Sequence, residues 1–352
     1  MNLTKTKFSK FTTLSLAITI CSCLCYASAL IPPYAFWPAG IISYSIPIIL
    51  VFHLVWLALS FIFSSKIRSA SLISIIIGIP YLTFTFEWNK QETEGFSILS
   101  YNLRNVREIN EEGKMVFSEN MKKWIIEEDS PIKCFQEYVS SNKNPDKNID
   151  EQLKAQGYIK SSNSNQTKKH TNGVVTFSKY PIIAQGEIVL NENKNANGCI
   201  FTDILMDADT IRIYNVHLFS NSIKQENLTQ RSKIKNSLGE TYRKLKSGII
   251  MRSKQAKAIS THAATSPYPV IICGDFNDIP YTFNYLTFRK LFENSFERKG
   301  MGFGFTYNSD LFFLRIDNQF FDNAFFKNHS FKVHRDITYS DHFPITGTYS
   351  LN

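Results

Sequence analysis

Hydrophobic residues are concentrated in the first ninety positions of the chain, where three long runs contain no Asp, Glu, Lys or Arg. These runs cover residues 11–30, 41–63 and 70–86. A helix needs about 20 apolar residues to cross a bilayer, and helices of soluble proteins usually carry a polar stripe, which these runs lack. The pattern therefore predicts a membrane region at residues 1–90 that contains three transmembrane helices.

The charges that flank these runs predict an orientation. Lysines precede the first run, Lys66 and Arg68 lie between the second and the third, and residues 31–40 carry no charge. Because cytoplasmic loops are enriched in Lys and Arg, we expect the N-terminus and residues 64–69 in the cytoplasm. Three crossings then place residues 91–352 outside the cytoplasm, as the large domain of an integral membrane protein.

The first run has an alternative interpretation as a signal peptide, because Ala27, Ser28 and Ala29 form an A-x-A cleavage pattern. Two crossings would then remain, so the large domain would again lie outside the cytoplasm. The predicted location depends instead on the third run crossing the membrane.

Short apolar segments alternate with helical patterns after residue 95. Strands are predicted at residues 96–102, 132–138, 173–179, 199–206, 210–218, 269–275, 315–321, 331–335 and 345–350. Helices are predicted at residues 115–128, 148–156, 228–264 and 283–291. Many strands with few helices between them favour a mixed α/β sandwich over a simple parallel doubly wound sheet.

Charge and cysteine content narrow the function only slightly. Of the net charge of +9, the first ninety residues carry +5, and the remaining +4 is modest for a nucleic-acid-binding domain of more than 260 residues, although Arg231–Lys257 holds nine bases and one acid. We expect this stretch to be a solvated helix face, with a surface for phosphates or anionic lipids as the alternative. Because no CxxC or Cys/His spacing typical of zinc sites occurs, a zinc site is not indicated.

Several predicted strands end in polar residues where a buried strand would normally continue with aliphatic ones. VIICGDFND ends in Asp275 and Asn277, and IRIYNVHL carries Asn215 and His217. Side chains in a strand alternate between faces, so the two members of each pair point the same way. Other strand ends contribute Asn102, Glu137, Asp317, Asp341 and His342. Each residue alone could serve a turn or a salt bridge, but together they predict a polar site.

Seven motifs occur in a specific order between about residues 95 and 350: SYNLR, FQE, NGVVTFSKYPI, YNVHL, GDFND, RIDNQFF and SDHFPI. In this order they resemble the endonuclease/exonuclease/phosphatase superfamily, in a membrane-anchored bacterial branch. GDFN and SDH, with QE upstream, are the specific part of the signature. The resemblance implies that residues 91–352 form a catalytic domain with a four-layered α/β sandwich, in which two packed mixed β-sheets are flanked by helices. A transmembrane helical segment, expected in the bacterial inner membrane, would precede it.

The resemblance also implies a metal site. Glu137 matches the principal ligand of the family, Asn102 matches the asparagine beside it, and Asp341 would complete or border the site. Mg²⁺ is a hard cation that prefers oxygen ligands, usually one or two carboxylates with several waters. We therefore expect a Mg²⁺ cofactor, for which Mn²⁺ can substitute.

The remaining motif residues match catalytic positions of the family. Asp275 would position or deprotonate the attacking water, and Asn277 would hold a phosphate oxygen. His342 would act as acid, base or transition-state stabiliser, and Asp317 would fix its tautomer and raise its basicity. His217 would face the phosphate from the other side, near the leaving group.

Substrate contacts are less well defined by the sequence. Asn215 and Lys179 are candidates, although Lys179 could equally be a surface lysine near a turn. Nucleases, lipid phosphodiesterases and phosphatases share this fold, so the fold cannot choose among them. We expect a metal-dependent phosphodiester hydrolase of the nuclease type acting on nucleic acid. The alternatives are a sphingomyelinase-like phosphodiesterase for phospholipid head groups, a phosphatase, or a membrane-anchored binding protein without catalysis. No protein partner is inferred.

Overall fold

Helices occupy the N-terminal quarter of the chain in the computed structural model, which describes residues 2–63, 65–110, 112–140, 148–162, 171–188, 198–220 and 234–352. They are α1 (Asn2–Ser28), α2 (Pro38–Ser43), α3 (Ile46–Phe63) and α4 (Ser65–Leu82). With 18 residues each, α3 and α4 are about 27 Å long at about 1.5 Å per residue, close to the thickness of a bilayer core.

One described segment, Pro38–Leu59, is long and apolar enough to cross a membrane by length and composition, with a mean hydropathy of 2.1. Leu16–Ser28 and Ala70–Leu82 are shorter apolar helices. All three predicted runs are thus mostly helical over their described parts, with turns at residues 29–30, 44–45 and 83–85. Their insertion in a membrane stays a prediction.

The remaining elements alternate between strands and short helices. The helices are α5 (Glu119–Glu127), α6 (Ile149–Ala155), α7 (Ile234–Ala264), α8 (Phe283–Arg289) and α9 (Ser295–Lys299). The strands are β1 (Glu87–Trp88), β2 (Phe96–Asn102), β3 (Arg107–Ile109), β4 (Met115–Phe117), β5 (Ile132–Ser140), β6 (Ile159–Ser162), β7 (Thr171–Ser178), β8 (Ile182–Ile188), β9 (Gly198–Met206), β10 (Asp209–His217), β11 (Val270–Asp275), β12 (Glu293–Asn294), β13 (Met301–Gly302), β14 (Asp317–Phe321), β15 (Phe326–Val333) and β16 (Ile345–Leu351).

Two six-stranded sheets form the centre of the described structure. One has the order β12-β14-β11-β10-β9-β8, and the other has the order β15-β16-β2-β5-β7-β6. Each contains one parallel pair, β10 with β11 and β2 with β5, among antiparallel neighbours. The parallel pairing brings the carboxyl ends of these strands to a common edge, where their polar end residues lie close together.

Apolar side chains fill three layers around these sheets. Ile98 and Ile271 lie in the layer between the sheets. Met121 of α5 packs on the outer face of one sheet, and Ile259 of α7 with Phe288 of α8 packs on the outer face of the other. This arrangement confirms the predicted four-layered α/β sandwich.

The N-terminal helices pack directly on the sandwich. Tyr26, Tyr81 and Phe84 share one buried hydrophobic cluster with Phe276 and Tyr285, and the rings of Phe84 and Tyr285 lie 5.5 Å apart. The helical region is therefore joined to the sandwich by a packed core and not only by the chain.

Some element boundaries differ from the prediction. The helix predicted from residue 115 begins at Glu119, because β4 precedes it and the Ser118 hydroxyl caps it by accepting from the Met121 backbone N–H at 3.1 Å. The edge strands β6 and β8 were not predicted, since both are short or weakly alternating. β15 spans Phe326–Val333 and not residues 331–335. The first residues of the predicted helix 228–264 lie outside the described chain.

Gly274 in the GDFN motif is the most constrained glycine near the site, with φ of 142°. A Cβ at this position would lie 1.9 Å from the Val216 carbonyl oxygen, so we expect Gly274→Ala to destabilise the protein by at least about 2 kcal/mol. Gly239→Ala is the control, because a Cβ at Gly239 in α7 would meet no neighbouring atom within 4 Å among the described residues. Thermal unfolding of the full chain in detergent measures both changes, and equal midpoints would contradict this role of Gly274.

Candidate active site

Polar residues from both sheets meet at one edge of the sandwich. Asp275 at the end of β11 pairs with His217 at the end of β10 and with Asp317 at the start of β14. Asn102 ends β2 in the facing sheet, and Glu137 lies on the neighbouring β5. The strand ends that the sequence singles out thus converge on one site.

The Asp275 carboxylate is at the centre of this site and is almost fully buried. Its Oδ2 accepts hydrogen bonds from Asn102 Nδ2 at 3.0 Å and from Asn277 Nδ2 at 3.1 Å. Its Oδ1 accepts from the Asn277 backbone N–H at 2.8 Å. These bonds compensate the desolvation of the carboxylate and fix its direction.

Asn277 closes the turn that follows Asp275. Its φ of 49° lies in the left-handed region, which asparagine tolerates better than most residues. Its Nδ2 donates to Asp275 and also to the Leu218 carbonyl oxygen at 3.0 Å. The amide expected to hold a phosphate oxygen is therefore directed in this structure toward Asp275 and Leu218, where it positions the carboxylate.

Glu137 enters the site through an irregularity in β5. The register of β5 against β7 shifts between Phe135 and Tyr138, and Glu137 has a φ of 48°. Such bulges redirect a side chain at the edge of a sheet. Glu137 Oε1 lies 3.4 Å from Asn102 Nδ2, while Asn102 Oδ1 accepts from the Arg104 backbone N–H at 3.1 Å. Asn102 thus bridges two carboxylates with its Nδ2, and its oxygen is turned toward Arg104.

His217 lies between these carboxylates and is buried. Its Nε2 is 3.5 Å from Asp275 Oδ2 and 3.8 Å from Glu137 Oε1. Neither ring nitrogen makes a hydrogen bond with a residue that the structure describes. Buried polar groups are normally paired, so an unpaired imidazole beside two carboxylates indicates a position for a bound polar group.

His342 and Asp317 form a buried pair on the other side of Asp275. His342 Nδ1 lies 2.9 Å from Asp317 Oδ2, and its Nε2 points into the site, 3.8 Å from Asp275 Oδ2. Burial alone would lower the pKa of His342, but the charges of Asp317 and Asp275 and the Nδ1 hydrogen bond raise this pKa to about 10. The raised pKa favours the protonated imidazole, whose Nε2 presents an N–H donor to the site.

The donor set fits a divalent cation. Possible ligand atoms of Asp275, Asp317 and His342 all lie within 4.8 Å of one another. Because Asp317 and His342 already bind each other, we assign the cation to the side of Asp275 and Glu137, whose oxygens suit a hard metal. Glu137 is partly exposed there, which leaves room for waters and substrate.

Asp341 borders the site without joining its centre. Its Oδ2 lies 3.7 Å from Arg104 Nε, and both side chains are partly exposed. The backbone carbonyl of Asp341 accepts from the Asn308 N–H at 2.7 Å. Asp341 therefore forms part of the rim, next to His342.

Asn215 is fully buried between the sheets. Its Nδ2 donates to the carbonyl oxygens of Val175 and Phe135, and its Oδ1 accepts from Gln136 Nε2 at 2.7 Å. Because Gln136 precedes Glu137, Asn215 supports the metal-side carboxylate and has no surface open to a substrate.

Lys179 lies away from this cluster. Ser178, which precedes it, pairs with Ile132 at the start of β5, whereas Glu137 lies five residues further along that strand. The Lys179 ammonium lies 5.1 Å from the centre of the Tyr158 ring. The structure therefore does not bring Lys179 to the site, in agreement with the alternative of a surface lysine.

A strained turn beside Glu137 was not predicted from the sequence. Arg104, Asn105 and Val106 have φ values of 46°, 60° and 57°, a conformation that costs about 1–2 kcal/mol per residue. Asn105 Nδ2 lies 3.5 Å from Glu137 Oε2. Strain of this kind persists at functional sites. The sequence signal for this turn was Asn105, the asparagine at the end of SYNLRN.

A family model described as "Endonuclease/Exonuclease/phosphatase family" matches residues 99–342, which include every residue of the cluster just described. The chain belongs to the endonuclease/exonuclease/phosphatase family. Members of this family are phosphoester hydrolases, so the protein is a phosphoester hydrolase. Enzymes of the family typically use divalent metals. A second model, of a domain of unknown function (DUF8431), matches residues 8–85. A search of curated proteins found no match.

Solved structures of the family share the fold. The human Nocturnin catalytic domain is 14% identical, with a TM-score of 0.51, over 75% of this chain and 97% of that one. A TDP2 of D. rerio, humanized by 14 mutations, is also 14% identical with a TM-score of 0.51, over 73% of this chain and 100% of that one.

The assignment of the cation to Glu137 predicts the effect of removing its charge. We expect Glu137→Gln to weaken Mn²⁺ binding to the full chain by at least about tenfold, since changes around a metal commonly cost about 10–100-fold in affinity. Glu293→Gln is the matched control, because Glu293 pairs with Arg298 in a different part of the fold. Titration followed by electron paramagnetic resonance measures free Mn²⁺, and equal affinities of the two variants would remove Glu137 from the cation site.

Proposed function

We propose that the protein is a membrane-anchored phosphodiesterase that uses Mg²⁺, or Mn²⁺ in its place, and acts outside the cytoplasm. The observation that carries the proposal is the oriented Asp275 carboxylate between two histidines, His217 and His342, with Glu137 at the open side. This combination of a fixed base, an imidazolium donor and an exposed carboxylate fits the hydrolysis of a phosphoester.

Each residue has a distinct part in this reaction. Asp275 orients a water and receives its proton, because its Oδ2 is held by two amides and faces the site. His342 donates its Nε2 proton toward a phosphoryl or leaving oxygen, and Asp317 holds its charge and orientation. His217 offers from the opposite side its Nε2, which makes no hydrogen bond with the described residues. A bound divalent cation, which Glu137 and Asp275 would hold, supplies Lewis-acid polarisation of the phosphoryl oxygen.

The outward faces of the N-terminal helices support membrane anchoring. Exposed apolar side chains lie along α1, α3 and α4, among them Leu16, Leu24, Ile48, Val55, Phe61 and Ile76. Polar groups instead turn inward, as where Ser22 Oγ contacts His53 Nε2 at 2.8 Å. An apolar exterior over a hydrogen-bonded interior suits a lipid environment and would be unfavourable in water.

Contacts at one end of the helices support the orientation. The segment after α1 contacts the sandwich through Tyr34 with Phe283 and through Trp37 with Tyr242. The segment after α4 contacts it through Phe86. Since α1 and α4 both end at the sandwich, their C-terminal ends lie on the same side, as three crossings require. With Lys66 and Arg68 at the other end, the sandwich is expected outside the cytoplasm.

Two substrate classes are compatible with this reaction. A nuclease is the first candidate from the sequence, and it would show a strong dependence on salt. A lipid head-group phosphodiester is the second candidate, and it is favoured by one observation: Phe276, within the catalytic turn, packs in the same cluster as Tyr81 and Phe84 at the end of α4. The active site is therefore expected close to the membrane surface.

The proposed role of Asp275 predicts a large loss of activity on substitution. We expect Asp275→Asn to lower kcat by about 10²–10⁴-fold, because the amide cannot accept the proton of the water. The full chain in detergent would be incubated with Mg²⁺ or Mn²⁺ and with double-stranded DNA, RNA, or sphingomyelin or phosphatidylinositol vesicles. His342→Ala is expected to behave similarly, and Lys179→Ala is the control that retains activity. Full activity of Asp275→Asn would remove it from the mechanism.

The topology predicts where a C-terminal fusion is active. Alkaline phosphatase fused after Asn352 should be active in a bacterial host, since that enzyme folds only outside the cytoplasm. A fusion after Phe63 should be inactive, because the second predicted run ends on the cytoplasmic side. The reverse pattern would show that the three-crossing arrangement is wrong.

A further inference from the structure

A second buried charge lies directly behind the catalytic turn. Arg252 of α7 has no solvent-exposed surface. Its Nη2 lies 3.0 Å from the Tyr44 hydroxyl, and its Nη1 donates to the Phe219 carbonyl oxygen at 3.0 Å. Its Nε lies 3.7 Å from Asp278 Oδ2. One guanidinium thus joins three separate segments of the chain.

Two of these segments are continuous with the residues that hold Asp275. Asp278 directly follows Asn277, and its Oδ1 accepts from the Ile279 backbone N–H at 3.1 Å. Phe219 directly follows Leu218, whose N–H donates to the Asp275 carbonyl at 2.9 Å and whose carbonyl accepts from Asn277 Nδ2. A shift of Arg252 would therefore be passed to both sides of the catalytic turn.

The third segment belongs to the N-terminal helices. Tyr44 lies between α2 and α3, and its hydroxyl reaches Arg252 Nη2 from there. The preceding α2 packs closely on the sandwich, since a Cβ on Gly40 would lie 2.4 Å from Ile249 of α7. Tyr44 is thus held in place by packing before its hydroxyl meets Arg252.

Buried charges make this arrangement sensitive to the loss of one partner. Burial raises the pKa of Asp278, and the charge of Arg252 opposes this effect. A buried guanidinium that loses an acceptor retains its desolvation cost, so it moves toward another partner. The described partners of Arg252 include groups that shape the turn.

The contact with Tyr44 extends beyond the residues that the family model matches. The family model covers residues 99–342, and the Nocturnin and TDP2 comparisons account for 97% and 100% of those chains but only 75% and 73% of this one. Tyr44 lies outside the region matched by the family model, while Arg252 and Asp278 lie within it. Tyr44 therefore contributes, through Arg252, a contact to the Asp275–Asn277 turn, which lies within the matched region.

We propose that Tyr44, Arg252 and Asp278 form a positioning link, through which the N-terminal helices hold the Asp275–Asn277 turn in its reactive geometry. The proposal rests on the proposed phosphodiesterase function for its kinetic consequences. It makes the helices part of the catalytic unit, so that residues 91–352 alone would have a misplaced Asp275 even when supplied with a soluble substrate.

Tyr44→Phe in the full chain tests the link, because it removes only the hydroxyl oxygen that contacts Arg252. We expect kcat to fall about tenfold, which corresponds to about 1.4 kcal/mol in the barrier, with KM unchanged, because Tyr44 does not reach the substrate. The probe is bis(p-nitrophenyl) phosphate with Mn²⁺. Amide hydrogen exchange of residues 274–279 is measured in parallel and is expected to become faster.

Tyr214→Phe is the matched control. It also removes a buried hydroxyl that contacts α7, where Tyr214 Oη lies 2.8 Å from His262 Nδ1, but it leaves Arg252 and its partners in place. We expect a comparable change in Tm with no change in kcat or in exchange at residues 274–279. Arg252→Lys keeps the charge and should retain more activity than Arg252→Met.

The outcomes separate the two proposals. If Tyr44→Phe keeps both the wild-type kcat and the wild-type exchange at residues 274–279, or if Tyr214→Phe changes them equally, the positioning link is overturned. If the wild-type chain hydrolyses no phosphodiester, the proposed function fails. In that case, amide hydrogen exchange at residues 274–279, compared between Tyr44→Phe and Tyr214→Phe, still decides whether the link holds the turn.

Discussion

The carboxylate of Asp275 is buried at the end of β11, and a buried charge is tolerated only when hydrogen bonds or opposite charges surround it. Its surroundings come from the ends of β2 and β10, from the turn after β11 and from the segment before β16, so the site can form only if both sheets pack in register. Asn102 crosses from the facing sheet, Asn277 folds back from the turn, and His217 and His342 approach from either side. The sandwich therefore does more than support the site, because its inter-sheet spacing determines whether Asp275 is paired.

The sequence predicts this convergence well because the signal is local. A strand whose last residues change from aliphatic to Asp, Asn or His shows the change within the strand itself, and period-two alternation then places Asn215 and His217 on one face of their strand. The order of the motifs adds the fold. A mixed α/β sandwich follows from the same pattern, since its strands are recognisable from their apolar alternation, apart from the short or partly exposed β6 and β8. Its four layers were implied by the family resemblance.

What the sequence does not predict depends on contacts between distant segments. Lys179 follows a correctly located strand, yet the antiparallel pairing of β7 with β5 carries it to the end opposite Glu137. The direction of the Asn277 amide depends on Leu218, 59 residues away. The left-handed turn at Arg104–Val106 and the shifted register at Glu137 are backbone departures that no apolar pattern encodes. Each of these features determines what a side chain contacts, and therefore its role, and none of them can be read from the residue type.

The apolar runs of the N-terminal region illustrate the same limit on a larger scale. Their composition indicates a membrane, but a run of apolar residues has the same composition whether it faces lipid or a protein core. In the structure both occur on one helix: Ile48 of α3 is exposed, while Leu50 joins the cluster that contains Phe276. Since Phe276 lies between Asp275 and Asn277, the apolar core that anchors the helices and the polar cluster at the active site share one turn. Two opposite faces of this turn are thus fixed by different forces, hydrophobic packing on one side and hydrogen bonds to a buried carboxylate on the other. A change in either set of contacts acts on the same few backbone torsions.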